Sequence, residues 1–201
     1  MKRLVVLISG GGSNLEALLN ACSDPDYGAQ VVAVGADRDC AGLQHAHNHN
    51  IPTFITEVQD YPTRQDWDHA LSDHVGDYRP DLVISAGFLK LVGPRFLSRF
   101  DGRFINTHNS LLPAFPGTQG PQDALDYGVK ITGATLFFVD DGVDTGVIIA
   151  QVAVPVEDDD TLATLTERIK VAERAQLVDT VGRMSRHGWR IKGRACYVGR
   201  A

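Results

Sequence analysis

Short apolar runs alternate with amphipathic stretches along the whole chain. Residues 4–8 (Leu-Val-Val-Leu-Ile) are continuously apolar, and residues 31–34 and 82–86 repeat the pattern. Residues 53–56 are a weaker version, residues 104–107 a further one, and residues 132–139 and 147–154 are two longer ones. Runs without alternation predict strands covered on both faces, as in a parallel sheet. Helical spacing fills the intervals at residues 14–22, 42–50, 64–75 and 161–186. In the third of these, Trp67, Ala70, Leu71, His74 and Val75 recur at helical intervals. In the last, Leu162, Leu165, Ile169, Ala172 and Val181 do so. The acidic run Asp158-Asp159-Asp160 just before residue 161 predicts oxygens that cap the longest helix and suit its N-terminal dipole. This order of elements predicts an α/β class, with an open, mostly parallel, twisted sheet of about seven strands flanked by helices. The short interval between the last two runs predicts an antiparallel hairpin there.

No internal repeat or low-complexity linker interrupts the chain. The Gly/Pro-rich stretch 113–120 reads as an ordered loop. Residues 1–188 read as one domain. Residues 189–201 carry no strong pattern and read as a C-terminal extension, solvated through Lys192, Arg194 and Arg200. The 201 residues, 43% of them hydrophobic, are enough to bury a core of that size. A net charge of -6 argues against a nucleic-acid-binding surface, which is usually basic, while leaving room for a local phosphate pocket. The three cysteines, Cys22, Cys40 and Cys196, are odd in number and lack CxxC spacing. Neither a disulfide framework nor a metal site is expected, and a reducing cytoplasm is the natural setting. The N-terminal apolar run of five residues is too short for a typical signal-peptide core and far too short for a bilayer span, so no membrane partner is expected.

Two places carry chemistry. Ser9-Gly10-Gly11-Gly12-Ser13-Asn14 joins the first strand to the first helix. Glycines let backbone approach an anion, and a helix start offers free N–H groups and a positive dipole end. A phosphate site and a tight turn that binds nothing fit these residues about equally. Leu15 occupies the last position of a dinucleotide fingerprint, and the lysine of a P-loop is missing. Asp37, at the end of the second run, occupies the place of a ribose-binding acid, though a loop or capping role suits it better.

The second place is Asn106-Thr107-His108. Alternation along a strand sends Asn106 and His108 to one side, with Ile105 and Thr107 on the other. Strand ends of open α/β sheets are where ligands usually bind. Acyl transfer to an amine builds negative charge on the carbonyl oxygen, which an amide N–H and an imidazolium can stabilise. An imidazole also moves protons near neutral pH. Asp144, in a glycine-containing loop between two strands, is a candidate carboxylate partner for it. Taken singly, each of the three reads better as a local structural residue. Their convergence is a geometric requirement that the linear sequence leaves open.

At Asn106-Thr107-His108 with Ser110-Leu111-Leu112-Pro113, the chain resembles the formyltetrahydrofolate-dependent formyltransferases. The resemblance runs from Leu4 to about Glu173. It includes the first strand with its glycine turn, Ser85-Ala86-Gly87-Phe88 and Asp144-Thr145-Gly146. It implies a Rossmann-like formyltransferase fold and 10-formyltetrahydrofolate as co-substrate, with no metal. It also implies a small phosphorylated amine, most closely 5-phosphoribosylglycinamide of purine biosynthesis, as acceptor. The implied catalytic residues are Asn106, His108 and Asp144. Gly12, Ser13 and Asn14 match the phosphate turn. Lys170, Val171, Ala172 and Glu173 match a segment that contacts the ribonucleotide. Arg64, Leu89, Lys90, Leu91 and Val92 match the folate-binding region, together with Asn106 and the loop Asp140, Asp141, Gly142, Val143 and Asp144. Small-molecule partners and a monomer or homodimer are expected.

Three positions depart from the family's usual pattern. Asn109 stands where proline is common, and Gln119 and Phe137 stand where histidines are common. Asn109 frees the backbone of proline's fixed φ. The other two remove titratable groups from the expected neighbourhood of the site. Alternatives within the class are a nucleotide-linked amino sugar as acceptor, or water, as in formyltetrahydrofolate hydrolysis. The hydrolases usually carry an added N-terminal domain, for which a first strand starting at Leu4 leaves no room. Transfer to methionyl-tRNA would normally come with an RNA-binding domain and a basic surface. A non-catalytic nucleotide- or folate-binding module is the alternative of a different class. It would keep the glycine turn but would not need His108 with Asp144.

Overall fold

The computed structural model describes residues 1–199, so Arg200, expected in the extension, lies outside the described residues. Two compact units partition the chain, the first Met1–Asn106 and the second from Thr107 onward. The first contains β1 (Lys2–Ile8), α1 (Ser13–Cys22), β2 (Ala29–Ala36), α2 (Leu43–Asn48), β3 (Thr53–Ile55), α3 (Arg64–Asp77), β4 (Leu82–Ser85) and α4 (Pro94–Arg99). The next strand, β5 (Phe104–His108), carries the boundary within it. The second unit continues with α5 (Gly120–Tyr127), β6 (Ile131–Phe138), β7 (Ile148–Pro155), α6 (Leu162–His187), β8 (Trp189–Lys192) and β9 (Ala195–Val198). All seven expected strands and four expected helices form, with ends moved by one to a few residues. The short helices α4 and α5 went unpredicted. Each begins with a proline in its first turn, where the missing N–H costs nothing.

Strand order in the main sheet is β3-β2-β1-β4-β5-β6-β7. In the first unit every pairing is parallel. Continuous apolar runs produce this arrangement because both faces are covered. Leu4, Val5, Val6, Leu7 and Ile8 have no solvent exposure, and neither do Val83, Ile84 and Ile105. The chain moves outward from β1 to β3, then returns to place β4 on the other side of β1. That reversal is a topological switch point, where loops leaving neighbouring strand ends diverge and open a crevice. Register puts Leu7 beside Ser85 and Ser85 beside Asn106, so the C-terminal ends of β1, β4 and β5 fall level.

In the second unit β6 and β7 pair antiparallel, as the short interval between them predicted. The helix α6 packs on both strands, and Ala134, Val154, Leu165 and Ile169 form one buried cluster. The acidic run does not cap this helix directly. Thr161 takes that place in a capping box with Thr164, and Asp160 instead accepts from Thr164 and Arg168. The tail corrects the sequence reading more fully. Residues 189–198 form a two-stranded antiparallel hairpin whose second strand packs against β7. Gly193 has φ 58 at the first of its two turn positions, the backbone a tight hairpin turn needs there. With Trp189 and Ile191 opposite Val198 and Cys196, that glycine was the available signal.

Candidate active site

The first unit holds the glycine turn and the segment that follows β4. Gly12 takes φ 73 as the cap of α1, a conformation that a side chain would strain. It also packs against Gly42, which donates its N–H to the Gly10 carbonyl at 2.9 Å. No side-chain hydrogen bond caps α1 at Gly12, and the helix starts directly from the glycine turn at Ser13. His45 braces the turn from α2, its Nε2 lying 3.1 Å from the Gly11 carbonyl.

Residues 89–92 form a loop held at several points. The Leu89 N–H donates to Ser9 Oγ at 2.8 Å, and Arg64 donates to the Leu91 carbonyl while its guanidinium lies over the Trp67 ring. Next along, the Gly93 N–H donates to Asp68 at 2.6 Å. Leu89 and Leu91 are 71% and 70% exposed, so the loop presents an apolar surface. Lys90 reaches back to Asp37, with Nζ 3.8 Å from the carboxylate, which also takes a 2.7 Å bond from Arg38. The Asp37 side chain is wholly buried. Burial works against its charge, yet hydrogen bonds from Arg38 and Ser9 and the fields of Arg38 and Lys90 outweigh that and hold the carboxyl below its ordinary value. Asp37 thus has the loop role the sequence favoured, paired with Arg38 and facing Lys90.

In the second unit the structure brings His108 and Asp144 together. Nδ1 of His108 is 3.7 Å from the Asp144 carboxylate, and Nε2 is 2.7 Å from the Phe115 carbonyl. His108 is 8% exposed, so both contacts are shielded from bulk water. Asp144 sits at φ 56, a left-handed conformation that aspartate tolerates better than most residues, and accepts the Gly117 N–H at 2.7 Å. Asn106 lies two residues before His108 on β5 and is partly exposed. The Asp140–Asp144 loop is tied internally, with Asp140 accepting from the Gly142 N–H and the Thr145 hydroxyl.

Residues the sequence reading missed hold this centre. Thr135 Oγ1 donates to the Ser110 carbonyl at 2.7 Å and accepts the Leu112 N–H at 3.0 Å. Gln151 donates to both Thr135 and the Leu112 carbonyl. A buried hydroxyl that ties β6 to the loop after β5 is invisible to periodicity, because Thr135 reads simply as a strand residue. Thr107 is a second case. Its hydroxyl donates to Glu173 at 3.1 Å, so Glu173 is 5% exposed and joined to β5 rather than solvated. Of the remaining helix segment, Lys170 and Val171 face solvent and Ala172 packs on the α6 core cluster. Phe137 is buried in β6, where an imidazole would need a partner, and Gln119 is exposed at the start of α5. Among the described residues, no group of three or more His, Cys, Asp or Glu is placed to share a metal ion.

Relatives have the same organisation. A phosphoribosylglycinamide formyltransferase of Mycobacterium tuberculosis is 53% identical over 198 residues, covering 98% of this chain and 92% of that one. The trifunctional purine biosynthetic protein adenosine-3 of Homo sapiens is 41% identical over 172 residues, which are 85% of this chain and 17% of that much longer one. The crystal structure of glycinamide ribonucleotide transformylase 1 from Symbiobacterium toebii superposes with a TM-score of 0.95 at 39% identity, covering 98% of this chain and 94% of that one. The phosphoribosylglycinamide formyltransferase of Coxiella burnetii, solved with CHES, gives 0.93 at 31%, covering 98% and 93%. The profile described as formyl transferase matches residues 2–181, and the chain belongs to that family.

Proposed function

We infer that this protein transfers the formyl group of 10-formyltetrahydrofolate to the primary amine of 5-phosphoribosylglycinamide, a step of purine biosynthesis in the cytoplasm. The observation that carries this reading is the shielded His108–Asp144 pair at the end of the strand that also bears Asn106, in a chain of the formyl transferase family. The names of the Mycobacterium and Symbiobacterium relatives specify the acceptor. Both reactants are small molecules, and neither nucleic acid nor membrane takes part. Three free cysteines fit a reducing compartment.

The amine nitrogen attacks the formyl carbon, and the carbonyl oxygen gathers negative charge in a tetrahedral intermediate. The Asn106 amide and a protonated His108 receive that charge. The two ring nitrogens of His108 face two acceptors, the arrangement that suits the two donors of an imidazolium. Reaction then requires the oxyanion to take the place of the Phe115 carbonyl at Nε2. The carbon–N10 bond breaks as the amine loses its proton and the folate nitrogen gains one, with Asp144 balancing the imidazolium throughout. Gly12, Ser13 and Asn14 receive the phosphate. Glu173 orients the amine-bearing end, and Lys170, Val171 and Ala172 frame it. Arg64, Leu89, Lys90, Leu91 and Val92 receive the folate together with Asp140, Asp141, Gly142 and Val143. Holding the two reactants side by side supplies a large share of the acceleration.

A spectroscopic assay of tetrahydrofolate release, run against a panel of amine acceptors, tests the reading. Release that depends on 5-phosphoribosylglycinamide is expected. Release that is equal without any amine would make the enzyme a hydrolase, and release only with an amino sugar would change the acceptor.

A further inference from the structure

The C-terminal hairpin reaches back to the loop that carries Asp144. Arg194, in its turn, donates from Nη1 to the Thr145 carbonyl at 2.8 Å and from Nη2 to the Gly146 carbonyl at 3.3 Å. These two carbonyls directly follow Asp144 in the chain. We propose that Arg194 is a positioning residue for the reaction, a clamp that fixes the backbone after Asp144 so that its carboxylate stays against His108. This inference rests on the function proposed above and adds to it a residue beyond residue 181, where the family match ends.

Three observations support it. First, the loop has few other restraints. Asp141, Gly142 and Val143 are exposed, and outside ties come only from the Gly117 N–H and Arg194 among the described hydrogen bonds. Second, Asp144 is in a left-handed conformation, which even aspartate adopts at some cost, so a bond that holds the following backbone favours it. Third, the hairpin is itself anchored, because β9 packs on β7 and the Gly199 N–H returns to the Gly188 carbonyl at 3.1 Å. A planar guanidinium with forked donors matches two successive carbonyls. An ammonium at the same place would reach one of them at a time.

Arg194 touches neither reactant in this scheme, so its effect must pass through Asp144. Replacement by alanine is expected to lower kcat on the order of three- to tenfold, the scale of losing one or two partly exposed hydrogen bonds. The KM for the ribonucleotide should stay within about twofold, since Gly12, Ser13 and Asn14 are untouched. Arg194→Lys should recover part of the loss. Lys192→Ala, a change in the same hairpin that leaves both carbonyl bonds in place, should behave as wild type. The deciding measurement is a double-mutant cycle. In an Asp144→Asn background, Arg194→Ala should cost nothing further, because the group it positions is already disabled. Wild-type kcat in Arg194→Ala would overturn the proposal, as would an equal loss in both backgrounds. Should the alanine variant not fold, Arg194→Gln is read in the same cycle with the same outcomes. Wild-type protein that releases no tetrahydrofolate with the glycinamide would instead defeat the underlying function and leave the clamp geometry untouched.

Discussion

Asp144 and Asp37 show how one residue type takes two roles through its surroundings. Asp144 keeps one oxygen on the Gly117 N–H and presents the same carboxylate to His108. Asp144→Asn keeps the shape but removes the charge opposite the imidazole. Activity should fall by about two orders of magnitude in a steady-state assay of tetrahydrofolate release. Wild-type activity in this variant would contradict the pairing. Asp37 is wholly buried and holds Lys90 from below. Asp37→Asn should raise the KM for the folate several-fold, by roughly three- to tenfold, while kcat stays within about twofold, because the loop loosens and the His108 centre does not. Steady-state kinetics with each substrate varied in turn separate these outcomes.

The longest helix illustrates how an element is secured at its start. Thr161 and Thr164 bond each other's backbone, closing the capping box, and Asp160 adds a 2.6 Å bond from Arg168. Thr161→Ala should destabilise the protein by about 1 kcal/mol, measured by chemical denaturation, through loss of that cap. The hydrogen bond from Arg168 outweighs desolvation and holds the Asp160 carboxyl down to about 2. A carboxyl lowered on folding contributes stability above its unfolded value and loses it as pH falls through its folded value. Arg168→Met should therefore flatten the decline in stability between about pH 4 and pH 2. A decline as steep as wild type would mean that the pair contributes nothing to acid stability.

Across the whole molecule, the parallel sheet leaves Leu4, Val5, Val6, Leu7 and Ile8 of β1 with no solvent exposure, so these side chains have no route to relaxation. Leu7→Ala should cost roughly 2–5 kcal/mol, since the neighbouring strands cannot collapse onto the space. The same pairing levels the ends of β1, β4 and β5, which is what lets a glycine turn, an exposed leucine loop and an amide share one edge. Asp81 adds to the acid sensitivity at the other end of β1. Burial opposes its charge, but bonds from the Arg3 backbone and Lys2 hold its carboxyl below the ordinary value. Denaturation midpoints should accordingly fall as the buffer is taken from pH 5 to pH 3.

How much of this was legible in the chain depends on distance along it. Period and run length determined the strands, the major helices and the hairpin of β6 with β7, because burial on two faces leaves an unbroken apolar record. Alternation along β5 is also the basis for expecting Asn106 and His108 on one side. The short helices α4 and α5 escaped because each opens on a Gly-Pro pair that reads as a turn, and the C-terminal hairpin escaped because its four-residue strands carry no continuous apolar run. Only the tertiary structure decided that Asp144 meets His108, that Glu173 turns inward to Thr107, that Asp37 holds Lys90 and that Arg194 grips the loop after Asp144. Each of these joins residues at least 36 positions apart through one or two polar contacts. Such contacts leave no periodic trace, because they depend on where folded backbones end rather than on which face of an element is apolar.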